Sequence, residues 1–255
     1  MEWSTNNLIN FVKMKTNETG HYKNVVSLNT LQVFAEGLGV AYAPQKESLK
    51  FTNLVLFVDE ANLLHNAVKD QINTVTLSVD HRQLVYKGVK PLSTRVMNTM
   101  GSTNVDPKTI VDAKFFNAKI QGARISKKAL AKEGETPPPT NSVSRQSYDS
   151  IYENFRSLNN LLIQDGNYSP TEDDLNNAGL TTKQNEMLAA NQDIKSQTND
   201  LGTKRIQRNK RFYTDEDCLI TIGRGIKQYI KGKYGTKSPE WTQIRKVYFK
   251  DNRIK

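Results

Sequence analysis

A single cysteine, Cys218, is all this 255-residue chain offers to thiol chemistry. It cannot close an internal disulfide, and paired thiolate ligation of a metal is excluded with it. Histidine is almost as scarce: His21, His65 and His81 stand apart, none three or four residues from another. A ferritin-type di-iron bundle needs two Glu-x-x-His elements on facing helices, and the chain has one, Glu18-Thr19-Gly20-His21. No run approaches the ~18 uninterrupted apolar residues of a membrane span. The first residues lack the basic start and long apolar core of a secretory signal, so cytoplasm is the expected address. Gly-x-Ser-x-Gly is missing, and no Gly-x-x-x-x-Gly-Lys-Ser/Thr follows a strand. Strand signals are weak throughout; Val75-Thr76-Leu77 is partly β-branched but lies inside a helical stripe. These gaps leave no constellation that meets the geometric roles of catalysis. The expectation is a protein that is not an enzyme and carries no cofactor, metal or small-molecule substrate.

What the chain does have is a near-repetition of itself. Tyr42-Ala43-Pro44 recurs 126 positions later as Tyr168-Ser169-Pro170, with Leu49 on Leu175, Leu54 on Leu180 and Arg82 on Arg208. Beyond that arginine the second copy carries eight extra residues and the offset becomes 134. Leu92 then meets Ile226, Val96 meets Ile230, Gly101 meets Gly235, Ile110 meets Ile244 and Phe115 meets Phe249. Matched apolar and turn residues at a fixed spacing indicate one structural unit used twice.

Within each copy the periodicity is helical. Leu54, Val58, Ala61, Leu64, Val68, Ile72, Val75 and Val79 keep three- and four-residue steps, the mark of a long helix with one buried stripe. Pro91 kinks that helix or starts a new one. Gly101 is placed as a C-cap, and Asp106-Pro107 as an N-cap followed by proline at the first helical position. In the second copy Ile151, Phe155, Leu158 and Leu162 lead to the Tyr168 turn. A polar helix with Leu180, Met187, Ile194 and Leu201 at heptad spacing follows. Ser238-Pro239 opens the last helix, where Trp241, Ile244 and Tyr248 are spaced to share a face. The first helix is expected to bury Val26, Leu31, Val33 and Phe34. The predicted fold is all-α: two tandem bundles of about four antiparallel helices, over 22–125 and 147–255. A 1–21 extension precedes them, and a Pro-rich charged linker over 126–146, with Pro137 to Pro139, joins them.

The phrases "YAPQKESLKFTNL", "KPLSTRVMNTMG", "DAKFFNAKIQGAR", "RIQRNKRFY" and "IKQYIKGKYGTKSPEWTQI" occur in order from about Val25 to Phe249. Together they resemble a family of uncharacterised two-unit helical proteins common in Bacteroidetes. The resemblance implies a small bacterial protein of helical fold and transfers no catalytic residue.

Charge supplies the functional signal. Residues 204–255 hold 15 Lys and Arg against 5 Asp and Glu, which equals the whole net charge of +10. Lys204, Arg205, Arg208, Lys210 and Arg211 fall within eight residues, and Arg224, Lys227 and Lys231 follow at helical spacing. Such a face points to an anionic partner. Cationic rows hold phosphate backbones through counterion release, and neighbouring aromatics can stack bases. Phe212, Tyr229, Tyr234, Trp241 and Tyr248 are, however, expected in the bundle core. Arg82 and Arg208 are expected to pair with acids between helices, and Cys218 to be a buried structural residue. The acidic run Asp215-Glu216-Asp217 is expected at a helix N-terminus capped by Thr214. Gly223-Arg224-Gly225 reads as close helix packing. The expected function is a helical interaction or scaffold protein, which meets a protein partner or a second copy of itself through its basic C-terminal face. The alternative is sequence-independent binding of nucleic acid or another polyanion.

Overall fold

The structure, a computed structural model, describes residues 18–123 and 146–253. Nearly all of the expected linker and most of the N-terminal extension lie outside the described residues. Glu18–His21, assigned to that extension from sequence, belong instead to the first helix, α1 (Glu18–Leu38). The others are α2 (Phe51–Lys87), α3 (Val89–Met100), α4 (Pro107–Gln121), α5 (Tyr148–Asp165), α6 (Asn177–Asn209), α7 (Leu219–Tyr234) and α8 (Pro239–Ile244). The described residues contain no strand, so the chain is all-α there.

Local signals place most helix ends. The Asp106 side chain accepts from the Lys108 amide at 2.7 Å, and Ser238 Oγ accepts from the Trp241 amide at 3.1 Å. Both satisfy donors that a first turn leaves open, and a proline follows each cap. α5 stops at Gly166, whose φ of 74° is left-handed, a conformation that costs glycine nothing. Pro91 begins no kink: α2 ends at Lys87, and Pro91 lies in the first turn of α3. One stripe is rotated from expectation. α1 buries Val25, Leu28, Leu31 and Ala35, leaving Val26 and Val33 exposed, because Leu28 and Leu31 select the face.

Some boundaries and burial pairs keep the sequence offsets, and others, such as the ends of α2 and α6 at Lys87 and Asn209 and the exposed Phe115 against buried Phe249, do not. α2 and α6 begin 126 residues apart, at Phe51 and Asn177, and α3 and α7 end 134 apart, at Met100 and Tyr234. Tyr42 and Tyr168, Leu49 and Leu175, Leu54 and Leu180, and Val96 and Ile230 are buried in pairs. The eight extra residues of the second copy coincide with a π-type segment, Lys210–Thr214, and the turn that follows it. The π-type segment and turn also correct the expected cap: α7 starts at Leu219 after Cys218, and Thr214 is not its N-cap.

The compact units are not the tandem segments. The first is drawn from Met1–Thr76 and Gln197–Lys255, the second from Leu77–Ser196. The cause is length. α2 has 37 residues and α6 has 33, on the order of 50 Å each at 1.5 Å per residue, more than one core covers. The first core joins α1 and the start of α2 (Leu54, Phe57, Val58, Ala61) to Phe212, Ile222, Ile226, Ile230 and Ile244. The second joins Val85 and Tyr86 to Val96, Met100, Ile120, Phe155, Leu158, Leu162, Leu180 and Met187. Each unit thus combines the opening of one expected segment with the close of the other. In the first unit a residue even meets its own equivalent: Gln71 Nε2 donates to Gln197 Oε1 at 2.8 Å, a self-complementary contact.

Candidate anion-binding site

The eight expected anion-binding residues divide sharply. Arg208, only 2% exposed, is the centre of a buried polar cluster. Its Nη1 pairs with the Glu18 carboxylate, its Nη2 lies 3.1 Å from His21 Nε2, and its Nε donates to Asn209 Oδ1 at 3.2 Å. Arg205 shares the same carboxylate at 3.3 Å. His21 Nδ1 meets the Tyr213 hydroxyl at 2.6 Å, and Asn24 Nδ2 donates to that hydroxyl at 3.1 Å. Since the guanidinium donates to Nε2, the His21 proton resides on Nδ1 and the ring is neutral. Burial first, and then the Arg208 charge, lower its pKa to about 4. His65, buried nearby, is held low by the same desolvation and stacks on Tyr22 with centroids 5.1 Å apart.

Lys204 donates to Gln71 Oε1 at 2.7 Å. Arg211 reaches Glu60 at 2.8 Å and the Asp217 carbonyl at 3.1 Å, with its guanidinium 4.0 Å above the Phe57 ring centre. Lys227 donates to the Arg245 and Val247 carbonyls at 3.0 and 2.6 Å, closing the end of α8. Five of the eight are therefore occupied within the fold. Lys210, Arg224 and Lys231 remain on the surface, Lys231 passing 5.8 Å from the Trp241 ring centre.

The expected acid partner holds for Arg208 and not for Arg82. In the second unit Arg82 lies 4.2 Å above the Tyr148 ring centre instead, and its Nε finds no hydrogen-bond partner among the described residues. Burial lowers its pKa. Cys218 is buried, as expected, with Sγ 3.1 Å from Thr221 Oγ1. Gly223 and Gly225 are packing positions: Phe249 covers the first and Leu49 the second. No group of three or more His, Cys, Asp or Glu among the described residues is placed to hold a metal. The Glu18 and His21 pair is already committed to arginine and tyrosine.

The open cationic surface lies elsewhere in the first unit. After α8 the chain turns at Arg245 and Lys246 and crosses α1, and from Lys246 to Lys250 its residues alternate between solvent and the core side. Val247 packs against the core and Phe249 is buried, whereas Lys246, Tyr248 and Lys250 face solvent. Asn24 fixes this tail by donating to the Lys250 carbonyl at 2.7 Å and accepting from the Lys250 amide at 3.1 Å. Ser27 Oγ adds a bond to the Tyr248 carbonyl at 2.9 Å. Between α1 and the tail is a groove of about 870 Å³ whose lining includes Lys23, Lys246 and Lys250 and not one carboxylate. The three lysines are exposed and make no ion pair among the described residues. The groove in the second unit, about 670 Å³, differs: its Arg95 pairs with Asp174, and its Lys183 with Glu186 at 3.0 Å.

Tyr248 was expected in the core. It is 71% exposed, because α8 ends at Ile244 and the non-helical tail beyond it no longer keeps residue 248 on the face of Trp241 and Ile244. Phe212 is buried, and Tyr229, Tyr234 and Trp241 pack against the core as expected. Lys23, Tyr22, Lys246, Tyr248 and Lys250 were missed in the sequence. The alternation Lys246-x-Tyr248-x-Lys250 was the available signal for the last three. Comparison with protein-family models, with curated proteins and with solved structures finds no match.

Proposed function

We propose that the protein is a non-enzymatic interaction module that holds an anionic partner on the cationic groove of its first unit. The observation that carries this reading is the acid-free groove, with three uncompensated lysines converging from α1 and from the tail. Cations already paired within a fold have little attraction left for a partner, whereas free ones release counterions when a polyanion binds. The groove therefore replaces the 204–211 run as the favoured contact, with Lys210, Arg224 and Lys231 extending the field around it. Binding of this kind is independent of sequence. Membership of the two-unit helical family belongs to the same reading and adds no activity.

Heparin affinity chromatography tests it. The wild-type chain is expected to be retained and to elute at raised salt, and Lys23→Glu with Lys246→Glu and Lys250→Glu to elute early. Equal elution of the two would overturn the proposal.

A second reading, contact with a protein or with another copy, is favoured by a separate observation. α2 exposes Leu56 and Leu63, one heptad apart and 66% and 71% accessible. Light scattering after size exclusion separates monomer from dimer, and Leu63→Asp is expected to abolish any dimer that depends on this face.

A further inference from the structure

Lysines alone account for attraction to any polyanion; they do not account for the aromatic rings beside them. Tyr22 and Tyr248 line the same groove and are 50% and 71% exposed. Two exposed tyrosines in one groove are costly as mere surface, since an unpartnered ring leaves a large apolar area in water. Tyr22 is moreover a held platform. One face of its ring stacks on buried His65 at an interplanar angle of 28°, leaving the other side toward solvent. Tyr248 is fixed at its backbone by Ser27, and Lys250, two residues on, by Asn24. Along the tail, cation, ring and cation recur at every second residue, Lys246, Tyr248 and Lys250, all exposed.

We infer that this groove binds single-stranded nucleic acid, with bases stacked on Tyr22 and Tyr248 and phosphates held by Lys23, Lys246 and Lys250. The inference rests on the polyanion reading above and narrows it to a partner with exposed aromatic faces. A duplex hides its bases within its own stack, and a sulfated polysaccharide or a lipid surface has none. Any base presents a π-face, so the rings add strand preference without sequence preference.

The test is fluorescence anisotropy with a labelled oligothymidylate of about 12 nucleotides, the same length of duplex, and anionic phosphatidylserine vesicles. Wild-type protein is expected to bind the single strand more tightly than the duplex. Tyr248→Ala is expected to weaken single-strand binding on the order of 5- to 100-fold, the effect of one lost stack, and to leave heparin elution unchanged. Tyr248→Phe, which keeps the ring, restores affinity. Because the Tyr248 side chain is largely in water, its removal leaves the helical circular dichroism spectrum intact. Unchanged single-strand affinity in Tyr248→Ala and in Tyr22→Ala overturns the inference. So does equal affinity for single strand and duplex, or binding to vesicles with none to the oligonucleotide. In each of these cases the heparin result decides separately whether the polyanion reading stands.

Discussion

Glu18 is the residue on which the buried cluster of the first unit turns. Its carboxylate is shared by Arg205 and Arg208, and Arg208 has almost no access to water. Removing one partner of a buried pair leaves the other charge uncompensated, which costs more than the pair itself contributes. Glu18→Gln is therefore expected to lower stability by about 2–4 kcal/mol, read from the shift of the urea midpoint. Lys246→Gln, on an exposed residue, should leave that midpoint in place. His21 gives the cluster a pH dependence. Its folded pKa of about 4 lies below the ordinary 6.5, through burial and then Arg208, with His65 and Arg205 acting in the same direction and Glu18 opposing them. The folded state binds fewer protons, so this contribution is complete above about pH 6.5 and is lost as pH falls toward 4. The loss reaches at most about 3–4 kcal/mol, at roughly 1.4 per unit of pKa. His21→Asn should flatten the stability profile between pH 6.5 and 4 relative to wild type, and parallel profiles would contradict the assignment.

At the scale of elements, the C-terminal tail depends on the absence of a side chain in α7. A Cβ at Gly223 would lie 2.3 Å from Cζ of the Phe249 ring, and Phe249 is itself buried. Gly223→Ala must displace that ring, an overpacking cost of about 1–3 kcal/mol. A fall in Tm of roughly 3–10 °C is expected by differential scanning calorimetry. Phe249→Ala in the same background should add little, since the ring is already displaced. The elements differ in how legible they were. Asp106-Pro107 and Ser238-Pro239 announced their helices because a cap is made within three residues of chain. Tyr248 misled for the opposite reason. Its spacing from Trp241 and Ile244 fits a helix, and only the early end of α8 turns it outward. Val25 and Val26 were indistinguishable by type, and Leu28 and Leu31 decided between them through packing.

At the scale of the whole molecule, the helical character was readable and the division into units was not. The offset of 126 survives at the starts of α2 and α6 and that of 134 at the ends of α3 and α7, whereas the other helix boundaries depart from both. Which copy's long helix closes which core is a matter of tertiary pairing, and a repeated apolar stripe is the same for either choice. The candidate site followed the same logic. The dense run from Lys204 to Arg211 stood out in the sequence, yet Glu18, Glu60 and Gln71 engage most of it from distant parts of the chain. Lys23 and the alternating tail residues lie more than 220 positions apart in sequence and meet only in the fold.

The salt dependence of single-strand binding probes that surface most directly. Each phosphate neutralised adds about 0.7 to the magnitude of the slope of log K against log salt. Replacing Lys23, Lys246 and Lys250 with glutamine is predicted to make the slope shallower by about 2, with affinity reduced at low salt. An unchanged slope and affinity in that variant would contradict the placement of the anionic partner in the groove.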